Sequence, residues 1–350
     1  MAEYKFTMRN KNEQNQYDIL YPKICLANIL DYEPSGAQFI VYCTTGTVAQ
    51  AVSGGKTLSA TSEDGIAKIT GVGYGTWTVT ARSNTATIEV KEFKQYKVFA
   101  TLNDYSWAEI SAVSASGDAA NLFSVGDTKS IVLNGTVGET TFSNVKIDAY
   151  ILGINHNAEV EGNNRIHFCI GKVDNKTVGL IDSQYNQYPI TSSGYFSMSY
   201  GDSNTNSGGW NGCYMRSIIM PAIKNALPTD LQNVLKTVTK YTDNTGGGTD
   251  SSSYVTATTE TICLEAEFEV QGVRSYANSY EQNKQQQYDY YKNGNSKIRY
   301  GYNDTSSAVW WWNRSPCSDD SGTFCGVGTD GSAGDYASRD CDAVAPCFYV

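Results

Sequence analysis

Two histidines, nine cysteines and a few close acidic pairs are the side chains from which this chain could build chemistry. His156 stands in Asn155-His156-Asn157 after an apolar run, and His167 alternates between Ile166 and Phe168. The first reads as a turn residue, the second as a hydrogen-bonded core residue. No G-x-S-x-G elbow accompanies either, so a Ser-His-Asp site lacks its nucleophile. Asp319-Asp320 and Asp340/Asp342 could form an acid pair or a calcium site. Their neighbours are Ser, Gly and Cys, with no apolar pocket to raise a carboxyl pKa and no EF-hand spacing. The cysteines (25, 43, 169, 213, 263, 317, 325, 341 and 347) are odd in number and contain no C-x-x-C pair. They read as small buried apolar residues rather than zinc ligands or a disulfide framework. The expectation is therefore no catalytic residue, no metal and no cofactor.

Composition narrows the partners. The 350 residues leave room for two or three domains, and 40% hydrophobic with 12% aromatic residues supports real cores. The 25 Tyr and 32 Gly suit recognition loops, where Tyr supplies contact area at low entropic cost. Tyr- and Gly-rich β proteins also carry such residues without binding through each one. A net charge of −10 without a Lys/Arg cluster argues against nucleic acid and anionic membrane surfaces. The start, MAEYKFTMRNKNEQNQ, is polar throughout, and no apolar run reaches a membrane span. Neither a signal peptide nor membrane insertion is expected, which implies synthesis and folding in a cytoplasm.

The elements that must position any site fall into three stretches. Residues 1–30 read as an attachment segment, a polar start followed by YDILYPKICLANIL, whose apolar surface needs another chain or a later domain to cover it. Residues 31–93 read as a small β-sandwich, with alternating strands at 39–42, 77–80 and 86–90 and a turn at Glu63-Asp64-Gly65. From residue 94 a larger unit begins. It opens with a helix near Ser106–Ser114 stopped around Gly117, followed by strands at 129–133, 145–155 and 165–173. Met215, Ile218, Ile219, Ala222 and Ile223 recur at helical spacing, with Pro221 kinking the helix or starting a new turn. Pro228-Thr229-Asp230 opens a second helix carrying Leu231, Val234, Leu235 and Val238. DNTGGGTDSSSY reads as a flexible loop, and SYEQNKQQQYDYYKNG as a polar helix with a Tyr-rich side.

The last forty residues carry the most information. Aromatic and apolar ends, WWWNRSP and VAPCFYV, enclose a filling of Gly, Ser, Asp, Cys and Tyr with no hydrophobic period. Between Asn313 and Val350 there is no Lys, Glu, Gln, Met or Trp. Read alone, that is a polar surface loop. The frame W-x-R-S-P (312–316), G-x-F-x-x-V (322–327), D-G-S-A (330–333) and V-A-P-x-F (344–348) resembles the variable proteins of diversity-generating retroelements. In that family randomised Asn codons cannot encode Lys, Glu, Gln, Met or Trp. The fillings Gly334, Asp335, Tyr336, Arg339, Asp340, Cys341 and Asp342 all lie within reach of such codons.

The resemblance implies a C-type-lectin-like fold over residues 94–350, with a variable region at about 313–343. Together with SWAEI, VGDTKSI, ILGINHN and GGW-x-x-C-x-M-R, it looks like one domain family of gut bacteria and their phages. TSEDGIAKITGVGYGTWTVTA resembles transthyretin-like or immunoglobulin-like spacer modules, and Y-D-x-L-Y-P-K is similar to segments near the start of phage tail and baseplate proteins. The expected fold is mostly β, a small sandwich followed by an α+β lectin-like domain.

The implied function is a phage tail receptor-binding protein, an adhesin on the virion. It would recognise a bacterial surface protein or glycan, join other tail proteins through its first residues and form a homo-oligomer, trimers being usual among such proteins. A diversified protein on the bacterial cell surface is the alternative. The implied contact surface is Ser318, Asp319, Asp320, Ser321, Gly326, Gly328, Gly334, Asp335, Tyr336, Arg339, Asp340, Cys341 and Asp342. Tyr336 and Arg339 would be its anchors, the acidic face favouring a basic or hydroxyl-rich ligand. Trp310, Trp311, Trp312 and Phe324 read as core, and Arg314 as a structural partner beneath the face. Calcium-mediated sugar binding is a weaker option. Formylglycine-generating enzymes share the lectin-like fold and use two cysteines near the C-terminus. Cys341 and Cys347 are superficially similar, which leaves a copper-dependent oxidase as the enzyme alternative.

Overall fold

Exposed and buried positions alternate through residues 48–53 in the computed structural model, as in a strand with one face on a core. The structure describes residues 5–9, 16–20, 37–73, 75–90, 99–188 and 195–350. The fold is mostly β, and the chain divides into two compact units, Met1–Val98 and Phe99–Val350.

The first unit holds two four-stranded antiparallel sheets. One runs Lys5–Arg9, Gln16–Leu20, Ala37–Tyr42, Ile66–Val72; the other runs Lys56–Thr61, Val48–Ser53, Gly75–Ala81, Asn84–Val90. Phe39, Val41, Ala49, Ala51, Ile69, Trp77 and Val79 fill the core. Trp77 stands edge-on to Phe39 and donates its indole N–H to Gly73 O at 2.7 Å, so the one polar atom of this large side chain is satisfied. Asp64 and Gly65 take positive φ (50° and 84°), which closes the expected turn between Glu63 and Ile66. The opening residues meet a later part of the chain, one of the two partners expected for them. Two of their segments pair with each other and then, through Ile19 opposite Val41, with the sandwich itself. Backbone hydrogen bonds within the chain thus engage part of a segment read as needing another chain or a later domain. Residues 21–36, with Pro22, lie outside the described residues.

The second unit is built on an eight-stranded mixed sheet. Its centre is Ile166–Val173, flanked by the long strand Thr140–Ile154 and by the C-terminal strand Cys347–Tyr349. Helix Trp107–Ser116 packs on it because Trp107 meets Phe168 and Phe348 edge-on, at 5.3 and 5.7 Å between ring centres. A capping box between Ser106 and Glu109 starts this helix, and Gly117 at φ 85° ends it. The helix and the three strands stand where the sequence placed them; the strands near 129–133 and 145–155 run longer, and the other boundaries shift by one or two residues.

Three later expectations change. Met215–Ile219 forms a π-type turn that runs into helix Met220–Ala226. Pro221 has no N–H to give to the preceding turn, so the local hydrogen bonds widen to the next register. That rotation buries Met215, Ile219 and Ile223 and leaves Ile218 50% exposed, against its expected place in the core. The second helix stops at Gln232, and Val238 begins the hairpin strand Val238–Asp243, paired with Val255–Glu260. The expected polar helix at 279–294 is two single turns, Glu281–Asn283 and Asp289–Lys292, with Tyr288, Tyr290 and Tyr291 buried. No helix among the described residues is long and apolar enough to cross a membrane.

Candidate functional site

The frame of the C-terminal segment becomes a three-stranded antiparallel sheet, Trp311–Pro316, Thr323–Val327 and Ala333–Ala337. Every residue of the first strand is buried, and polar anchors set its position. Trp311 gives its indole N–H to Lys297 O and lies under the Arg299 guanidinium, 4.4 Å from ring centre to cation. Trp312 donates to Phe196 O at 3.0 Å, and Ser315 donates to Glu281 at 2.6 Å. Trp310, read as core, is only partly buried.

Arg314 pairs with both carboxylate oxygens of Glu269 and also donates to Leu264 O and Thr242 Oγ1. Lys240 extends the network, with Nζ 2.6 Å from Glu161 and 2.9 Å from Glu269. Burial alone would raise the Glu269 carboxyl, but Arg314 and Lys240 outweigh it and hold the group ionised well below the usual range. Burial alone would lower Lys240, but Glu161 and Glu269 outweigh it and keep it charged. Sequence reasoning found Arg314 and missed these partners, since Glu161, Lys240 and Glu269 stand far apart in the chain.

Among the described residues two groups of buried side chains have metal-ligand chemistry: His156, Glu161 and Glu269; and Cys169, Glu265 and Cys347. In the first, the Lys240 ammonium already sits on both carboxylates. Burial and Lys240 push His156 down to about 3, so it is a neutral ring stacked on Tyr288 at 3.9 Å. His167 is fully buried, its Nδ1 3.2 Å from Tyr288 Oη, which agrees with a core role. In the second group Arg299 approaches Glu265 at 3.2 Å and Cys169 Sγ at 3.3 Å, supplying the cation there. Burial, reinforced by Cys169 and opposed by Arg299, raises Glu265 to about 8. Both groups are balanced by the chain's own cations. The cysteines among the described residues are all free, buried thiols.

The thirteen expected contact residues divide by burial. Asp319, Asp320, Ser321 and Asp335 are exposed, and Gly334, Tyr336, Arg339 and Asp340 are half-buried. Arg339 lies over the Tyr188 ring at 4.1 Å and pairs with Asp202 at 3.4 Å. The other five are corrected to interior positions. Ser318 bridges Arg274 and Tyr276 O, Gly328 closes the turn to Ser332, and Cys341 donates its thiol to Asp182 at 2.9 Å. Gly326 is buried beneath Tyr336, and Asp342 is only 4% exposed. A Cβ on Gly326 would meet the Tyr336 ring at 2.6 Å, and one on Gly334 would meet its hydroxyl at 2.5 Å. The tyrosine therefore lies flat across two glycines that face each other in register.

Burial, then repulsion from Asp340, pushes Asp342 up to about 7. An acid whose folded pKa exceeds its unfolded one favours the fold in its neutral form. Its contribution is complete below pH 4 and lost as pH rises through 7. Asp342→Asn is expected to gain on the parent protein as pH rises, by roughly 2–4 kcal/mol at pH 8. Urea melts at pH 5 and 8 measure this, and an equal gain at both would count against it.

Asn206 holds the exposed 317–323 turn in place. Its buried Nδ2 donates to Cys317 O, Asp320 O and Thr323 O at 3.1, 2.7 and 2.9 Å, while Oδ1 accepts from Gly247 N at 2.7 Å. Gly246 (φ 63°) packs its Cα against this residue, where a Cβ would lie 1.9 Å from Asn206 O. The Gly-rich stretch expected to be a flexible loop is thus one wall of an ordered junction. Asn206→Leu should cost roughly 2–4 kcal/mol, since Cys317 O, Asp320 O and Gly247 N lose their partner, and amide exchange in 317–323 should accelerate well beyond that of the sheet core.

Residues 180–350, which contain the three-stranded C-terminal sheet and its turns but not His156, Glu161, His167 or Cys169, match a family model described as a domain of unknown function, DUF6273. No curated protein and no solved structure matches the chain.

Proposed function

We propose that this chain is a phage tail receptor-binding protein whose C-terminal unit has a C-type-lectin-like fold and displays a diversified surface to a bacterial ligand. One observation carries the reading. The frame strand Trp311–Pro316 is buried and locked by hydrogen bonds, whereas Asp319, Asp320, Ser321 and Asp335 stand exposed at the turns and edge of the same sheet. Sequence can change at the exposed positions without touching the core. The reading treats recognition as non-covalent, multiplied by repeated copies on the particle. The oxidase alternative draws no support from the thiols. Cys341 is bonded to Asp182, while Cys347 faces Cys169 across the strand pair.

Sequencing codons 310–350 of this locus across a population tests the proposal. Variation concentrated at 319–321, 334–336 and 339–340, with Trp311–Pro316 constant, is the expected result. Uniform codons at those positions would sink the diversified reading. Detection of the chain in purified particles, rather than on cell envelopes, separates a virion protein from a bacterial surface protein.

A further inference from the structure

Exposed Ile218 lines a cavity of about 580 Å³ beside the candidate face. Met198 and Phe324 contribute to its lining. It adjoins the variable segment, because Met198 N and Ser199 N both donate to Ser338 O at 2.9 Å. Tyr200, 65% exposed, stands edge-to-face on Tyr214 at 5.5 Å, and Ile218 is 50% exposed. Solvent-exposed aromatic and aliphatic side chains on one cavity wall make an apolar platform.

The rest of the lining is unusual in its chemistry. Among the described residues no Lys, Arg, His, Asp or Glu lines it, although the chain carries a net charge of −10. Hydroxyl groups replace charges. Among the described residues the hydroxyls of Tyr200, Ser203 and Ser207 make no hydrogen bond. Thr205 Oγ1 accepts only from Ser207 N, at 3.1 Å, so its own proton is available. A hydroxyl both donates and accepts, which suits partners that are hydroxyls themselves. An ionic ligand would find no counter-charge, and an apolar one would strand these groups.

We infer that this cavity binds a neutral saccharide, one sugar face on Tyr200 and Ile218 and its hydroxyls meeting Ser203, Thr205 and Ser207. The site needs no calcium and lies outside the diversified positions, so it would supply a constant contact beside a variable one. The inference rests on the recognition reading for its biological setting alone.

The test is saturation-transfer NMR on the full chain with methyl glycosides of glucose and galactose, N-acetylglucosamine, and glucuronic acid as a charged comparison. Saturation by at least one neutral sugar is expected, weakened roughly tenfold by Tyr200→Ala and retained in Tyr200→Phe. Tyr200 is exposed, so neither variant should alter the melting temperature, and thermal melts check this. No response from any neutral sugar, a response to the uronate alone, or binding indifferent to Tyr200→Ala overturns the inference. Adsorption of the chain to bacterial cells is measured in parallel. Cell adsorption without sugar binding defeats this inference and leaves the adhesin reading; sugar binding without adsorption does the reverse.

Discussion

Glu269→Ala is expected to lower stability by about 3–5 kcal/mol. The residue is wholly buried and joins Arg314 to Lys240, and its removal leaves Arg314 without its carboxylate in a medium that cannot solvate it. Lys240 would keep Glu161 at 2.6 Å. The four charges balance as two acids and two bases, and taking one acid breaks that balance. Removing an opposite pair restores it. Glu269→Leu combined with Arg314→Met should therefore cost much less than the two single changes added together, with a coupling of roughly 2–3 kcal/mol. Urea denaturation of the four proteins measures this. Additive losses would show that the pair is not an energetic unit.

Exchanging the exposed set should do the opposite, changing binding and sparing the fold. Asp319→Ser, Asp320→Ser, Asp335→Asn and Arg339→Ser in one protein are expected to reduce adsorption to a host cell about 100-fold, as hot-spot losses do. Each substitution lies at an exposed or half-buried site, so stability should change by about 0.5 kcal/mol or less per site. Trp312→Ala is the control. Its fully buried indole makes the cost about 3–5 kcal/mol, and binding fails only because the fold does. Equal melting losses in both proteins would remove the distinction between frame and filling.

Local pattern made much of this fold legible. Alternation found the sandwich strands at 39–42, 77–80 and 86–90 and missed those at 48–53, 56–61 and 66–72, and the helix read near Ser106–Ser114 and stopped around Gly117 formed there. Arg314 was read as a partner beneath the face and is one. The failures share a cause, which is distance along the chain. Glu161, Lys240 and Glu269 meet only through tertiary folding, so no spacing rule links them. Ser318, Cys341 and Asp342 are polar or small residues in a polar stretch, and only the neighbouring segments cover them. The Tyr-rich helix failed because its tyrosines are taken into the core of the unit, and packing overrode the local preference for continuous helix.

The tyrosine lying across Gly326 and Gly334 has an implication for how such a face can change. The three positions form one shape, a ring resting in a shallow trough with no side chain beneath it. A side chain at either glycine collides with the ring unless position 336 shrinks as well. A small residue at 336 would uncover the trough and turn a raised aromatic ridge into a furrow. Substitutions there are thus linked, and a library that varies each site separately would contain many members that cannot close. Surviving sequences should show large residues at 336 only beside glycine at 326 and 334, so the face offers a few discrete reliefs instead of a continuum.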